Sequence, residues 1–424
     1  MNYIKLTRRE WLQYAAPMLA FSGLSDLAAK SAEESKRMLR KLPPIRAITQ
    51  GAKFHWFAYY DKLQFDPTCR YVLGMEVDFE RRSPKADDVI KVGMVDLKDG
   101  DRWIELGESR AWCWQQGCML QWRPGSKSEI IWNDRQGDRF VCHILDVHTR
   151  RKRTLPHPFY TISPDGRTAV APDFRRVNDM RPGYGYAGLP DPNSDVLTPE
   201  DSGVFRLDLE TGRYELIISI ADVAKIPNPH TDLTGAKHYF NHLLFNTDGS
   251  RFIFLNRWRG KEQRGFGTRM LTAGPDGTDI RVVDDYGHTS HFIWRDTRYI
   301  LAWSWHPSHE SAFYLYEDGT RNVEIVGKDV MTQNGHCSYL PGNRWILNDT
   351  YPDGERKQHV YLYNVATNKR VPLGQFYSPP EYQGEWRCDT HPRFSPDSRS
   401  VVIDSPHGGN GRQMYLIDIS AITG

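Results

Sequence analysis

Four histidines stand at one repeated place in the chain. His242, His291, His336 and His391 each lie four residues before the first residue of a short Pro/Asp/Gly-type turn. Histidine accounts for 15 of 424 residues, so four registered copies in a row are a coincidence of about one in a million before any choice of register. A single buried histidine is commonly a hydrogen-bonded core residue; four converging ones have another use. Neutral ring nitrogens suit zinc, manganese or nickel. Asp389, two residues before His391 and on the same strand face, would complete a coordination sphere or orient a ligand. The expected metal set is therefore His291, His336, His391 and Asp389, with His242 left free for proton transfer and His288 close to the fifth copy.

The elements that must carry these residues follow from the same turns. Seven copies occur: Asp66-Pro67-Thr68, Arg123-Pro124-Gly125, Ser163-Pro164-Asp165-Gly166, Asn246-Thr247-Asp248-Gly249, Arg295-Asp296-Thr297, Leu340-Pro341-Gly342 and Ser395-Pro396-Asp397. Each is followed by an apolar β-rich run, as in Tyr71–Met75 or Phe252–Leu255, and then by a second one, as in Val92–Leu97 or Met414–Ile419. This order, repeated mostly every 40–55 residues with one longer interval at the insertion after Asp173, predicts an all-β, seven-bladed β-propeller over residues 44–424. The strand before each turn is the innermost, so the registered residues line the central channel; in the first three copies they are Lys62, Met119 and Phe159. Residues 44–50 are expected to add a strand to the last blade. An insertion follows Asp173, and its Pro, Gly and Asp content predicts an irregular loop. No G-x-S-x-G elbow or α/β region follows the seventh copy, so a propeller-capped serine peptidase is not expected.

Loops between the second and third strands should open beside the histidines, and they are basic and aromatic. Arg175, Arg176, Tyr184, Arg257, Arg259, His407 and Arg412 are the expected substrate-binding residues, since guanidinium groups grip carboxylates bidentately and flat rings stack on sugars. An acidic oligosaccharide or polysaccharide is the expected partner. A net charge of +2 argues against bulk nucleic-acid binding, and no apolar run reaches the length of a membrane-spanning helix. Residues 1–32 read as a twin-arginine-like export signal (Thr7-Arg8-Arg9-Glu10-Trp11-Leu12, then the apolar stretch Tyr14–Leu27 and Ala28, Ala29 and Ala32), and residues 33–43 as a linker, so a periplasmic or secreted protein is expected. The six cysteines form no CxxC pair; free buried thiols are expected, with a Cys113–Cys118 bridge as the alternative.

Residues 50–420 resemble the seven-bladed propeller polysaccharide lyases, namely the oligogalacturonate lyases and more loosely the ulvan lyases. The resemblance rests on Ser290-His291-Phe292-Ile293-Trp294, Gly335-His336-Cys337-Ser338 and Asp389-Thr390-His391-Pro392-Arg393-Phe394-Ser395-Pro396-Asp397. It implies a manganese ion held by histidines of the late blades, with zinc or calcium as alternatives. Where that family has His-Pro-His-Pro, this chain has Asp-Thr-His-Pro, so His391 carries over and Asp389 stands in the other ligand's place. No clear match to the family's glutamine ligand is present. The implied chemistry is β-elimination: a proton is taken from the carbon α to a uronate carboxylate, and the 4-linked sugar leaves. His242 or Arg269, the counterpart of the family's catalytic arginine, would be the base. The alternatives are a propeller glycoside hydrolase resembling an α-rhamnosidase family that acts on rhamnose–glucuronate linkages, with His55 as its catalytic residue, and a non-catalytic glycan-binding propeller.

Overall fold

A computed structural model describes residues 42–260 and 265–424. The export segment 1–32 and nearly all of the linker lie outside the described residues. The remainder forms seven four-stranded antiparallel sheets arranged as the blades of a propeller. The first blade shows the plan: an inner strand Phe54–Trp56, then Tyr71–Val77, Ile90–Asp96 and the outer Arg102–Ser109. Every second and third strand falls on the apolar runs seen in the sequence.

Each middle strand is covered by a neighbouring blade on both faces, so it reads as a nearly continuous apolar run; Phe252–Arg259 is buried at seven of its eight positions. Outer strands have one wet face, and Arg102–Ser109 mixes exposed and buried positions accordingly. The turns between inner and second strands have local causes. In Ser163-Pro164-Asp165-Gly166 the Gly166 N–H donates to the Ser163 carbonyl at 2.8 Å, and Gly166 sits at φ +73°, a conformation glycine adopts without strain.

The insertion departs from expectation. Its first seven residues, Phe174–Met180, form a helix, α1. Asp173 caps it by accepting from the Arg175 N–H, and Phe174, Val177 and Met180 recur at a spacing of three to bury one face. That local signal outweighs the Pro/Gly/Asp content, which governs only the part after Arg181. All six cysteines are free, so no Cys113–Cys118 bridge forms.

The ring closes through the chain's own ends. Ile45–Ala47 pairs antiparallel with Gln413–Asp418 of the last blade, as the sequence predicted. Deeper in, Asp404 of the last blade accepts backbone N–H groups from Phe57 (3.2 Å) and Ala58 (3.0 Å) of the first. It also pairs with Arg393 at 2.8 Å, both side chains being buried. Arg393 continues to the carbonyls of Ala58 and His391 and to Gln64. Removing one partner of such a pair leaves the other charge buried and bare. Asp404→Ala should therefore lose about 3–5 kcal/mol in urea denaturation, whereas trimming an exposed pair such as Lys53–Asp78 should change the midpoint little.

Candidate functional site

The innermost segments bring five aromatic or imidazole rings into one arc. In the fourth blade the inner strand Lys237–Phe245 loses register with its neighbour between Asn241 and Leu244. His242, inside that bulge, has φ +51°. His391 of the last blade is at φ +38°. Non-glycine residues held there are strained and persist only where the surroundings impose them. Ring centroids run His291–His336 at 4.1 Å, His336–His391 at 4.2 Å, His391–Tyr59 at 5.3 Å and Tyr59–His242 at 5.0 Å. Tyr59 and Tyr60 enter from the first blade; the Tyr60 hydroxyl donates to the Phe292 carbonyl at 2.8 Å, which ties that blade to the fifth across the axis.

His336 is the most firmly oriented. Asp349 receives its Nδ1 at 2.9 Å and its backbone N–H at 2.7 Å, and Thr390 donates to the same carboxylate at 2.5 Å. Gly335 makes this possible, because a Cβ there would stand 1.9 Å from the Asp349 carbonyl oxygen. With Nδ1–H given to Asp349, Nε2 is the bare acceptor. The Nε2 atoms of His336 and His391 are both buried and without a hydrogen-bond partner. Asp389 places Oδ2 4.0 Å from His391 Nε2, and His336, Asp389 and His391 offer donor atoms all within 4.8 Å of one another. His291 lies alongside, its Nδ1 3.0 Å from Asn334 Oδ1, but outside that three-donor group.

His242 differs in its partners. Its Nδ1 is 2.6 Å from the Tyr59 hydroxyl and 3.4 Å from Gln116 Nε2. Burial, then the Arg181 guanidinium and the Lys62 ammonium, push its pKa well below the usual histidine value. Burial followed by the charge of His336 does the same for His291 and His391. These imidazoles are neutral at neutral pH, the form that binds metals and accepts protons. Lys62, 3.0 Å from Asp61, has its pKa lowered by burial.

A basic wall stands beside the arc. Arg181 lies over the rings of Tyr184 (4.1 Å) and Phe266 (4.5 Å), and Arg257 lies over Phe266 at 4.5 Å. Arg387 donates to the Tyr184 hydroxyl and to Asp389, each at 2.7 Å. Among the described residues neither Arg181 nor Arg257 has a carboxylate partner, and buried nitrogens of both lack hydrogen bonds. Arg259, at the end of its strand, is exposed.

Other expected residues are engaged elsewhere. Arg176 spends its guanidinium on Asp191 and on the carbonyls of His238, Asn193, Val196 and Leu197, pinning the insertion. Arg175 is chelated by Asp173 on the opposite face of α1. Arg412 is buried against Glu80 at 2.6 Å and the Trp386 carbonyl. Arg269 donates to Asn256, Ile226 and Val223. Burial lowers its pKa only to about 10, so it remains a cation and accepts no proton at neutral pH. His55 has both nitrogens occupied, by Gln413 and Glu76. His407 bonds Ser405 and packs on Phe376 and Tyr415. The sequence reading missed Tyr59, Gln116, Arg181, Phe266 and Arg387. Only Arg387 carried a usable signal, its place two residues before Asp389, to which it donates in an extended segment ahead of the strand Arg393–Phe394.

No protein-family model matches the sequence, and no curated protein matches it significantly. Solved structures do resemble it. An oligogalacturonate lyase from Vibrio parahaemolyticus superposes with a TM-score of 0.63 at 14% identity, over 89% of this chain and 94% of that one. An oligogalacturonate lyase in complex with manganese gives 0.63 and 14%, over 89% and 93%. Tricorn protease gives 0.51 at 12%, over 88% of this chain and 34% of that one. At these identities the likeness shows the propeller fold.

The buried neutral histidines have a consequence in acid. Burial and Arg269 lower the pKa of His238 to about 4, below its unfolded value near 6.5. Below pH 6.5 the unfolded chain therefore binds more protons, and stability falls as pH drops from 6.5 towards 4. This one group accounts for up to about 3 kcal/mol. Urea midpoints should decline across that interval, and His238→Gln should flatten the decline.

Proposed function

We propose that this protein is a lyase that cleaves uronic-acid-containing oligosaccharides or polysaccharides by β-elimination. The observation that carries the reading is the meeting of two unsatisfied sets of groups. Imidazoles with bare, buried nitrogens adjoin guanidinium groups, Arg181 and Arg257, with no carboxylate partner among the described residues. An anionic sugar supplies what both lack.

The donor set of His336 Nε2, His391 Nε2 and an Asp389 oxygen suits a divalent cation, manganese first, and His291 is the nearest further imidazole. When bound, such an ion supplies a Lewis acid that withdraws charge from the uronate carboxylate. Arg181, Arg257 and Arg387 hold that carboxylate and offset the negative charge that grows on it as the α-proton leaves. Tyr59 and His242 move the proton. It leaves C5 for Tyr59 Oη while the tyrosine proton passes to His242 Nδ1, 2.6 Å away. The freed electron pair forms the C4–C5 double bond and expels the 4-linked oxygen, which takes its proton from the His242 imidazolium, relayed by solvent, so that Tyr59 and His242 return to their starting states. Depression of the His242 pKa keeps it an acceptor at neutral pH.

The Arg8-Arg9 segment supports export to the periplasm or beyond, with residues 1–32 as the signal and 33–43 as the linker. No helix among the described residues is long and apolar enough to cross a membrane.

The test is ultraviolet absorbance of the unsaturated product over a panel of uronate oligosaccharides. Absorbance should rise, chelator should abolish the rise, and one divalent metal should restore it. Tyr59→Phe and His242→Asn should each lower kcat about a hundredfold or more, Arg257→Ala should mainly raise KM, and His336→Gln should lose bound metal by elemental analysis. Release of reducing sugar without any absorbance change would replace elimination by hydrolysis.

A further inference from the structure

A second cluster, between the outer strand of the fourth blade (Arg281–Gly287) and the fifth blade, has no part in the chemistry above. A cavity of about 250 Å3 opens there, lined by Asp284, Asp285, Tyr286, His230, His306, Tyr316 and Arg321, with Pro229, Val283 and Val323. Its walls are ring faces and edges. His230 stacks on Tyr286 at 4.3 Å, His306 meets Tyr286 edge-on at 5.1 Å, and Trp305 backs Tyr286 at 5.7 Å.

Its floor is anionic and short of cations. Asp284 is buried, its carboxylate held by the Thr289 and Tyr316 hydroxyls and the Tyr286 backbone without a cation, and burial pushes its pKa up to about 6. Asp285 is also buried, and its Oδ1 makes no hydrogen bond. Arg321 donates a long hydrogen bond to Oδ2 at 3.5 Å from a side chain that is 71% exposed, and His230 Nε2 stands 3.5 Å from Oδ1, so Oδ1 keeps a free valence toward the cavity. Buried carboxylates are ordinarily paired, because an unpaired charge away from water is costly. Aromatic faces around a carboxylate form the environment that attracts an organic ammonium group through both its charge and its methyl or methylene surface.

We infer that this cavity is a binding site for a small organic cation, an ammonium head carrying alkyl groups. The cation rests on Asp285 Oδ1, with its carbon surface against Tyr286, His230 and His306. Arg321 competes with it from the solvent side. The site stands independently of the lyase reading, since it shares no residue with the histidine arc.

The experiment is a titration of the full-length protein with choline chloride and tetramethylammonium chloride at constant ionic strength, followed by calorimetry and by tryptophan fluorescence, to which Trp305 contributes. Saturable binding is expected. Asp285→Asn should weaken it about tenfold or more, and Arg321→Ala should tighten it. Tyr286→Leu, which keeps the carboxylates, should also weaken it. Four results would overturn the inference: no saturable response, a response reproduced by sodium chloride, binding of calcium but not of the ammonium ions, or indifference to Asp285→Asn in a variant with unchanged melting temperature.

Discussion

Asp404 holds the first blade against the last. Its carboxylate takes the backbone N–H groups of Phe57 and Ala58 and the guanidinium of Arg393, all out of water. A carboxylate so placed has no alternative partners, so the chain immediately after Ala58 is fixed in direction. That chain is Tyr59-Tyr60-Asp61-Lys62. Arg393, fixed by the same anion, returns to the carbonyl of His391. One ion pair thus sets the relative position of the tyrosine that reaches His242 and of His391, its neighbour in the arc. Blade packing elsewhere rests on apolar area and tolerates small adjustments; this junction is directional.

Backbone strain at the site follows the same logic. His242 and His391 are both left-handed, as is Met119 at the equivalent register of the second blade. A regular inner strand alternates its side chains between the two neighbouring blades. Turning a side chain along the axis instead takes a local reversal of the backbone, and the surrounding hydrogen bonds hold that conformation in place. His336 reaches the axis by another route, through Gly335 and the tight approach to Asp349.

The fold was legible because its signals are local. Turn residues, the apolar middle strands and the wet outer ones depend on neighbours in sequence, and seven repetitions averaged out the exceptions. The histidines were legible because they share a register with those turns. The arginines were misjudged because a guanidinium looks alike in sequence whether it faces a ligand or a carbonyl. Arg176, Arg269 and Arg412 found internal acceptors from the insertion, from the loop before the fourth blade and from Glu80. Arg181 and Arg387 were not singled out, yet both face the arc. Tyr59 could not be seen, since its partner His242 is 183 residues away in the chain and nothing local marks the pairing. The histidines were read by position, while Asp349, which decides which nitrogen of His336 is bare, lies just past the end of the following strand, Trp345–Asn348.

The strand Ile45–Ala47 that fastens the ring belongs to the last blade, and the next residues lead directly to the first. The join between the two ends of the chain therefore passes beside Tyr59 and His391 and not through the opposite wall. Ile45–Ala47 is a three-residue strand at the edge of its sheet, and short edge segments near a chain end are where local opening costs least. In this protein the fastening and the histidine arc are neighbours, so the earliest partial opening separates Tyr59 from His391 while most of the ring is still folded. Loss of function would then report on the clasp well before any spectroscopic sign of unfolding.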